Sequence, residues 1–87
     1  GVGVNLEIEL VQGISLFPNP AAQMVRFRSE QALINSIRIL NLNGKPVLES
    51  TVGSYQHQQD LSRLATGLYL IEVQTSEGVW RQKLIKQ

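Results

Sequence analysis

The side chains that could do chemistry in this chain are few and far apart. Its single histidine, His57, stands shortly before its only aspartate, Asp60, and serines are plentiful. Covalent catalysis needs a nucleophile, a base and a group to orient the base. His57 and Asp60 fall in one polar segment that reads as a strand, where residues at i and i+3 point to opposite faces. The pair therefore assembles no triad, and His57 reads as an exposed edge-strand residue. Metal sites need several His, Cys or carboxylate ligands converging; the chain has no cysteine, and its 7 acids are scattered. Glu7 and Glu9 share a strand face, a spacing that could serve acid–base work or calcium, but a solvated outer face explains such pairs far more often. Gly13, Gly44, Gly53, Gly67 and Gly78 stand singly at turns rather than in a phosphate-cradling loop. Trp80 could stack on a sugar; packing at the rim of the fold is the simpler reading. Arg81, Lys83 and Lys86 make the last segment basic, which on an edge strand also discourages pairing with another sheet. These residues predict no enzyme, no cofactor and no metal.

Such sparse chemistry has to be read against the scaffold. A chain of 87 residues makes one domain; at this size folding buries roughly 60% of the surface an unfolded chain exposes, so the core is thin. An apolar content of 43% suffices for that core and argues against disorder. A net charge of +1 is too balanced for a nucleic-acid footprint, which needs a clustered basic face. The longest apolar runs are a few residues, so direct membrane insertion is not expected. The start, Gly1-Val2-Gly3-Val4, has neither a basic region nor an apolar h-region, and no signal peptide is expected here.

The dominant hydrophobic period is two. Val4, Leu6, Ile8 and Leu10 alternate with polar residues as in a half-buried strand. Ile14–Phe17 reads as a second short strand, stopped by Pro18, Asn19 and Pro20, a fixed corner in which Asn19 is held extended. Gln23–Arg28 follows, with Val25 and Phe27 on one face. Leu33–Leu42 is harder to phase: Ile37 and Ile39 share one face, Leu40 and Leu42 the other. A bulge, or a central strand apolar on both sides, explains it. Asn43-Gly44 predicts a two-residue type I′ hairpin. The returning strand covers Pro46–Val52, Gly53-Ser54 turns, and glutamine-rich Tyr55–Leu61 is placed at an edge. Leu64 is expected to plug one end of the fold. Leu68–Thr75, with Tyr69, Ile71 and Val73 on one face, is the strongest strand, and Val79–Lys86 closes the series. Seven or eight short strands without a helix predict an all-β, antiparallel, immunoglobulin-like β-sandwich of about seven strands.

Four blocks then carry a resemblance. Ile14-Ser15-Leu16-Phe17-Pro18-Asn19-Pro20-Ala21 resembles the opening of the type A C-terminal sorting domain of the type IX secretion system of Bacteroidota. Ile37–Val47, with Gly44-Lys45, is similar to that family's hairpin. Leu61–Ile71 matches its Leu-x-x-Leu-x-x-Gly-x-Tyr block at Leu61, Leu64, Gly67 and Tyr69. Lys83-Leu84-Ile85-Lys86-Gln87 resembles its short apolar-basic final strand. The blocks occur in the family's order over about residues 14–87. Two departures stand out: Asn41 where the family often has aspartate, and the glutamine-rich Tyr55–Gln59.

The resemblance implies a function. Such domains direct a cargo from the periplasm across the outer membrane to the cell surface or the extracellular space, and a sortase-like protease commonly removes them. It implies residues 1–13 as a linker or preceding strand containing the processing region, and 14–87 as the sorting domain. The implied partners are the secretion machinery: outer-membrane translocon, shuttle protein and sortase-like protease. The recognition candidates are Pro18, Asn19, Pro20, Gly44, Gly67, Tyr69, Lys83, Leu84, Ile85 and Lys86, with the final strand offered to a partner sheet by edge pairing. The same edge could pair two copies of the chain. The rival reading is an immunoglobulin- or fibronectin-like adhesive or carbohydrate-binding module, which Trp80 and the fold class favour.

Overall fold

The computed structural model describes residues 13–87. The strand expected over Val4–Leu10, with Glu7 and Glu9, lies outside the described residues. Seven strands follow: β1 (Ile14–Phe17), β2 (Met24–Ser29), β3 (Ile34–Leu40), β4 (Pro46–Ser54), β5 (Gln56–Asp60), β6 (Gly67–Thr75) and β7 (Gly78–Lys86). They form two antiparallel sheets, one of three strands in the order β1-β2-β5 and one of four in the order β4-β3-β6-β7. The expected all-β sandwich is the observed architecture, and the glutamine-rich strand does stand at an edge.

Alternation decides what faces inward. Val25 and Phe27 of β2, Ile71 and Val73 of β6, and Leu84 of β7 are buried, and together with Ile37 and Ile39 of β3 they make the layer between the sheets. Leu61 is buried in the loop after β5, and Leu64 packs against the same cluster, as its expected plugging role requires. Trp80 is also packed against the core, which removes the motive for a sugar-stacking platform.

The awkward phase of β3 has a physical cause. The pairing slips between Ile34 and Ser36 toward both neighbouring strands. An extra residue there lets Ile34 and Ile37 both be buried, although odd spacing would put them on opposite faces. Leu40 points to the outer face and is nevertheless 5% exposed. Leu42 is not its strand partner: it lies beyond β3 in the turn and is exposed.

Two turn expectations are corrected. The β3–β4 hairpin is not a type I′ turn, because positive φ occurs at Gly44 (84°) and at no non-glycine residue. Leu40 opposes Pro46, and the Gly44 amide donates to the Asn41 carbonyl at 2.9 Å. The loop is thus Leu42-Asn43-Gly44, a turn closed by one left-handed residue, the common three-residue hairpin. Asn41 sets it, its Oδ1 accepting from the Asn43 and Lys45 amides at 2.9 and 3.0 Å. Nor does Gly53-Ser54 end its strand. β4 continues through Ser54, with Gly53 (φ 66°) within a bulged stretch between the Ser36–Thr51 and Ile34–Ser54 pairs.

Candidate functional site

The corner after β1 and the end of β7 form one structure. Asn19 Nδ2 donates to the Lys83 carbonyl at 2.8 Å, and Asn19 Oδ1 accepts from the Ile85 amide at 3.1 Å. Its side-chain amide thereby imitates a peptide unit of a neighbouring strand. The main chain continues the lacing: the Ala21 amide donates to the Ile85 carbonyl at 2.8 Å, and the Gln87 amide to the Ala21 carbonyl at 2.7 Å. Ala21 forms a parallel bridge with Lys86 and is fully buried. The prolines flank Asn19 and both remain exposed; the Phe17–Pro18 and Asn19–Pro20 bonds are cis.

This arrangement corrects the expected open edge over Lys83–Lys86. The outer edge of β7 is already paired from the Lys83 carbonyl to the Gln87 amide. The four final-strand candidates also divide by face. Leu84 is fully buried opposite Tyr69, and Lys86 is 8% exposed with its Nζ donating to the Gln87 main-chain oxygen at 2.9 Å. Lys83 and Ile85 point to the outer face and are exposed. A lysine near a chain end suggests a solvated charge; strand parity places Lys86 with Leu84 instead, its stem covered and its ammonium at the rim.

The block ending in Gly67 and Tyr69 assembles the opposite margin. Tyr69 is half-buried, and its hydroxyl donates to the Ala65 carbonyl at 2.6 Å, so the ring packs inward while its polar end finds a partner. Gly67 opens β6, opposite Lys86. Leu48, Leu64 and Tyr69 line a cleft between β4 and the loop after β5, rimmed by Glu49, Asp60 and Arg63. His57 is corrected too. It is half-buried rather than exposed, its ring centroid 5.9 Å from that of Phe27 and its Nε2 2.9 Å from Gln59 Oε1. That oxygen also accepts from the Ser50 hydroxyl at 2.8 Å, joining β5 to β4 across the two sheets. The histidine is thus part of the packing between sheets. Asp60 caps the following turn, accepting from the Ser62 amide at 2.9 Å, and this hydrogen bond holds its carboxyl below the ordinary carboxylate range. Among the described residues no three His, Cys, Asp or Glu side chains converge as metal ligands would.

The sequence reading missed the outer face of the four-stranded sheet. Glu49 of β4, Arg38 of β3, Glu72 of β6 and Arg81 of β7 oppose one another in register. Arg81 Nε lies 2.9 Å from Glu72, Arg38 3.2 Å from Glu72 and 3.9 Å from Glu49. The row crosses every strand of the sheet with alternating sign. Spacing along the chain could not show it, since it depends on the strand order.

The four blocks therefore become two joined margins of one sandwich. Comparison with known families matches residues 15–87 to the model described as a secretion system C-terminal sorting domain. The chain belongs to this family. No curated protein matches the chain at a significant level. As a sorting domain it is the C-terminal signal for type IX secretion, and it works through interaction with that system. A cargo carrying it passes through the periplasm to the cell surface or the extracellular space. The family is not an enzyme family.

Proposed function

We propose that residues 14–87 act as an address with no catalysis of its own, read by an outer-membrane translocon and a shuttle protein. A sortase-like protease then cuts within residues 1–13. The observation that carries this reading is the family match beginning at residue 15, within β1. Placing the cut in the stretch before it keeps the sandwich intact during processing. Of the recognition candidates, Pro18, Asn19, Pro20, Gly44, Lys83 and Ile85 are exposed, and all but Asn19, whose side-chain amide is engaged by β7, can meet a partner without breaking a side-chain contact. Asn19, Tyr69, Leu84 and Lys86 serve by holding the presented surface in shape.

The test is export of a reporter. A periplasm-targeted fluorescent protein followed by residues 1–87 is expressed in a bacterium that has a type IX system, beside the same reporter followed by residues 1–13 alone. The full fusion is expected at the cell surface or in the medium, shortened to the reporter and part of residues 1–13. The short fusion is expected to stay in the periplasm. Equal export of both rejects the reading, and export without cleavage rejects its processing step.

A further inference from the structure

We infer that one end of the outer face of the four-stranded sheet is a protein-docking patch centred on Leu68, Leu70 and Ile85, with Lys83 as its charged contact. The inference rests on the proposed function and names the surface that the machinery touches.

Register makes the patch contiguous. Leu40 opposes Leu70, Leu70 opposes Lys83, and Leu68 opposes Ile85. Leu68 and Leu70 are two apart on β6, as are Lys83 and Ile85 on β7, so all share one face. Directly opposed and diagonal side chains on one sheet face lie within reach of each other. Leu68 is 39% and Ile85 48% exposed, yet Leu40 beside them is almost fully covered while standing on the outside of the sheet. This is a packed apolar layer, not a scatter of surface residues. Contiguous exposed apolar patches on small soluble domains mark contact sites. The outer face of the three-stranded sheet differs, presenting Arg26, Arg28, Gln56 and Gln58 around one exposed large apolar side chain, Phe17, which opposes Arg26.

Charge selects the kind of partner. The acids on this face, Glu49 and Glu72, are held by Arg38 and Arg81. Among the described residues no acid pairs with Lys83. The patch therefore offers an apolar centre beside an ammonium that no acid among the described residues compensates, and fits a protein surface with an apolar centre and a carboxylate at its rim. Desolvation of the apolar centre supplies the attraction, and the lysine fixes orientation.

The test uses the reporter fused to residues 1–87, carrying Leu68→Glu, Ile85→Glu or Lys83→Glu, with Arg28→Glu as the control on the other sheet. Thermal unfolding and circular dichroism of the purified fusions check folding, and Lys83→Glu, a change at an exposed position, keeps the test open should an apolar-to-acid change unfold the domain. Each patch variant is expected to keep its fold and lose export by about tenfold or more, as for a contact residue at the centre of an interface. Arg28→Glu is expected to export normally. Folded patch variants exported like wild type overturn the inference. So does dispersal of a wild-type dimer, or loss of binding to phosphatidylglycerol vesicles, with export unchanged, since the occupant would then be a second copy or a lipid surface. A wild-type fusion retained in the periplasm instead rejects the function reading, and the patch with it.

Discussion

Where β7 meets the corner after β1, the sandwich is closed by main chain and an amide that imitates it: Asn19 on Lys83 and Ile85, and Ala21 on Ile85 and Gln87. Where β4 meets β5, it is closed by side chains, Ser50 on Gln59 and Gln59 beside His57, with the Tyr69–Ala65 bond below. The first margin joins residues up to 66 apart, the second residues no more than 9 apart. The difference lies in cooperativity. A contact such as Ser50–Gln59 forms once one strand and its neighbour are in place. The Asn19 contact exists only when the corner and the last strand have both docked, so it reports a completed domain. For a signal that ought to be read only when whole, the long-range margin is the informative one.

The largest break in this comparison comes from the strand that carries the first margin. Leu84→Ala empties a fully buried site opposite Tyr69 and is expected to lower stability by about 2–5 kcal/mol. In a domain this small that is a large share of the total. Urea unfolding followed by tryptophan fluorescence measures it, because Trp80 lies on the same strand and against the core. A loss well under 1 kcal/mol, far below the usual cavity cost, would mean that β7 is held chiefly by its edge contacts.

Much of this was legible in the chain, and the exceptions share a cause. Val25 and Phe27, or Tyr69, Ile71 and Val73, announce their faces because alternation is local. The misfit around Ile37 and Leu40 was itself a signal: Leu40 is covered although it stands on the outer face, and the extra residue comes earlier, between Ile34 and Ser36. The Asn43-Gly44 pair misled because Asn41, just outside it, captures the Asn43 and Lys45 amides and leaves only Gly44 in the left-handed region. Asn19 read as a corner residue because its partners lie at the far end of the chain. The Glu49–Arg38–Glu72–Arg81 row was invisible because strand order, not spacing, brings it together. Local patterns thus revealed the strands and their faces; pairings made across the chain required the fold.

Asn19→Ala tests the lacing itself. It removes two hydrogen bonds at an exposed site, where water can replace the partners, so the expected loss is about 1–2 kcal/mol. The sharper readout is association. With the Lys83 carbonyl and Ile85 amide uncovered, the end of β7 becomes an open sheet edge, and sedimentation velocity is expected to show concentration-dependent self-association that the wild type lacks. A monomeric variant of unchanged stability would remove Asn19 from the account of this margin.

Tyr69→Phe probes the other margin with a smaller effect. The ring stays and only the bond to the Ala65 carbonyl goes, an expected loss of about 0.5–1.5 kcal/mol by urea unfolding. A double variant with Asn19→Ala sharpens the contrast. If the margins are independent, the two losses add to within about 0.5 kcal/mol; a larger shortfall would show that β6, which pairs with β7, transmits one to the other.

The smallest effect separates the margins by chemistry. The lacing at Asn19 uses amides and main chain and has nothing to titrate, whereas the margin at β5 includes Asp60. Its carboxyl is held below the ordinary range chiefly by the Ser62 amide, then by the Ser62 side chain, against a weak desolvation by neighbouring atoms, with Arg63 adding the least. A depressed folded value means that the carboxylate stabilises the fold above its unfolded value, near 3.8, and that this share is lost as pH falls through the folded value. Asp60 is fully exposed, so solvent keeps the share small. Asp60→Asn retains an oxygen to accept from the Ser62 amide and preserves the turn, but it cannot titrate. The variant is therefore expected to match wild type closely at neutral pH and to lose less stability between roughly pH 5 and pH 2. Asn19→Ala should instead shift stability by the same amount across that range. Parallel acid limbs for wild type and Asp60→Asn would show that the turn at Ser62 holds without the charge, leaving both margins equally indifferent to pH.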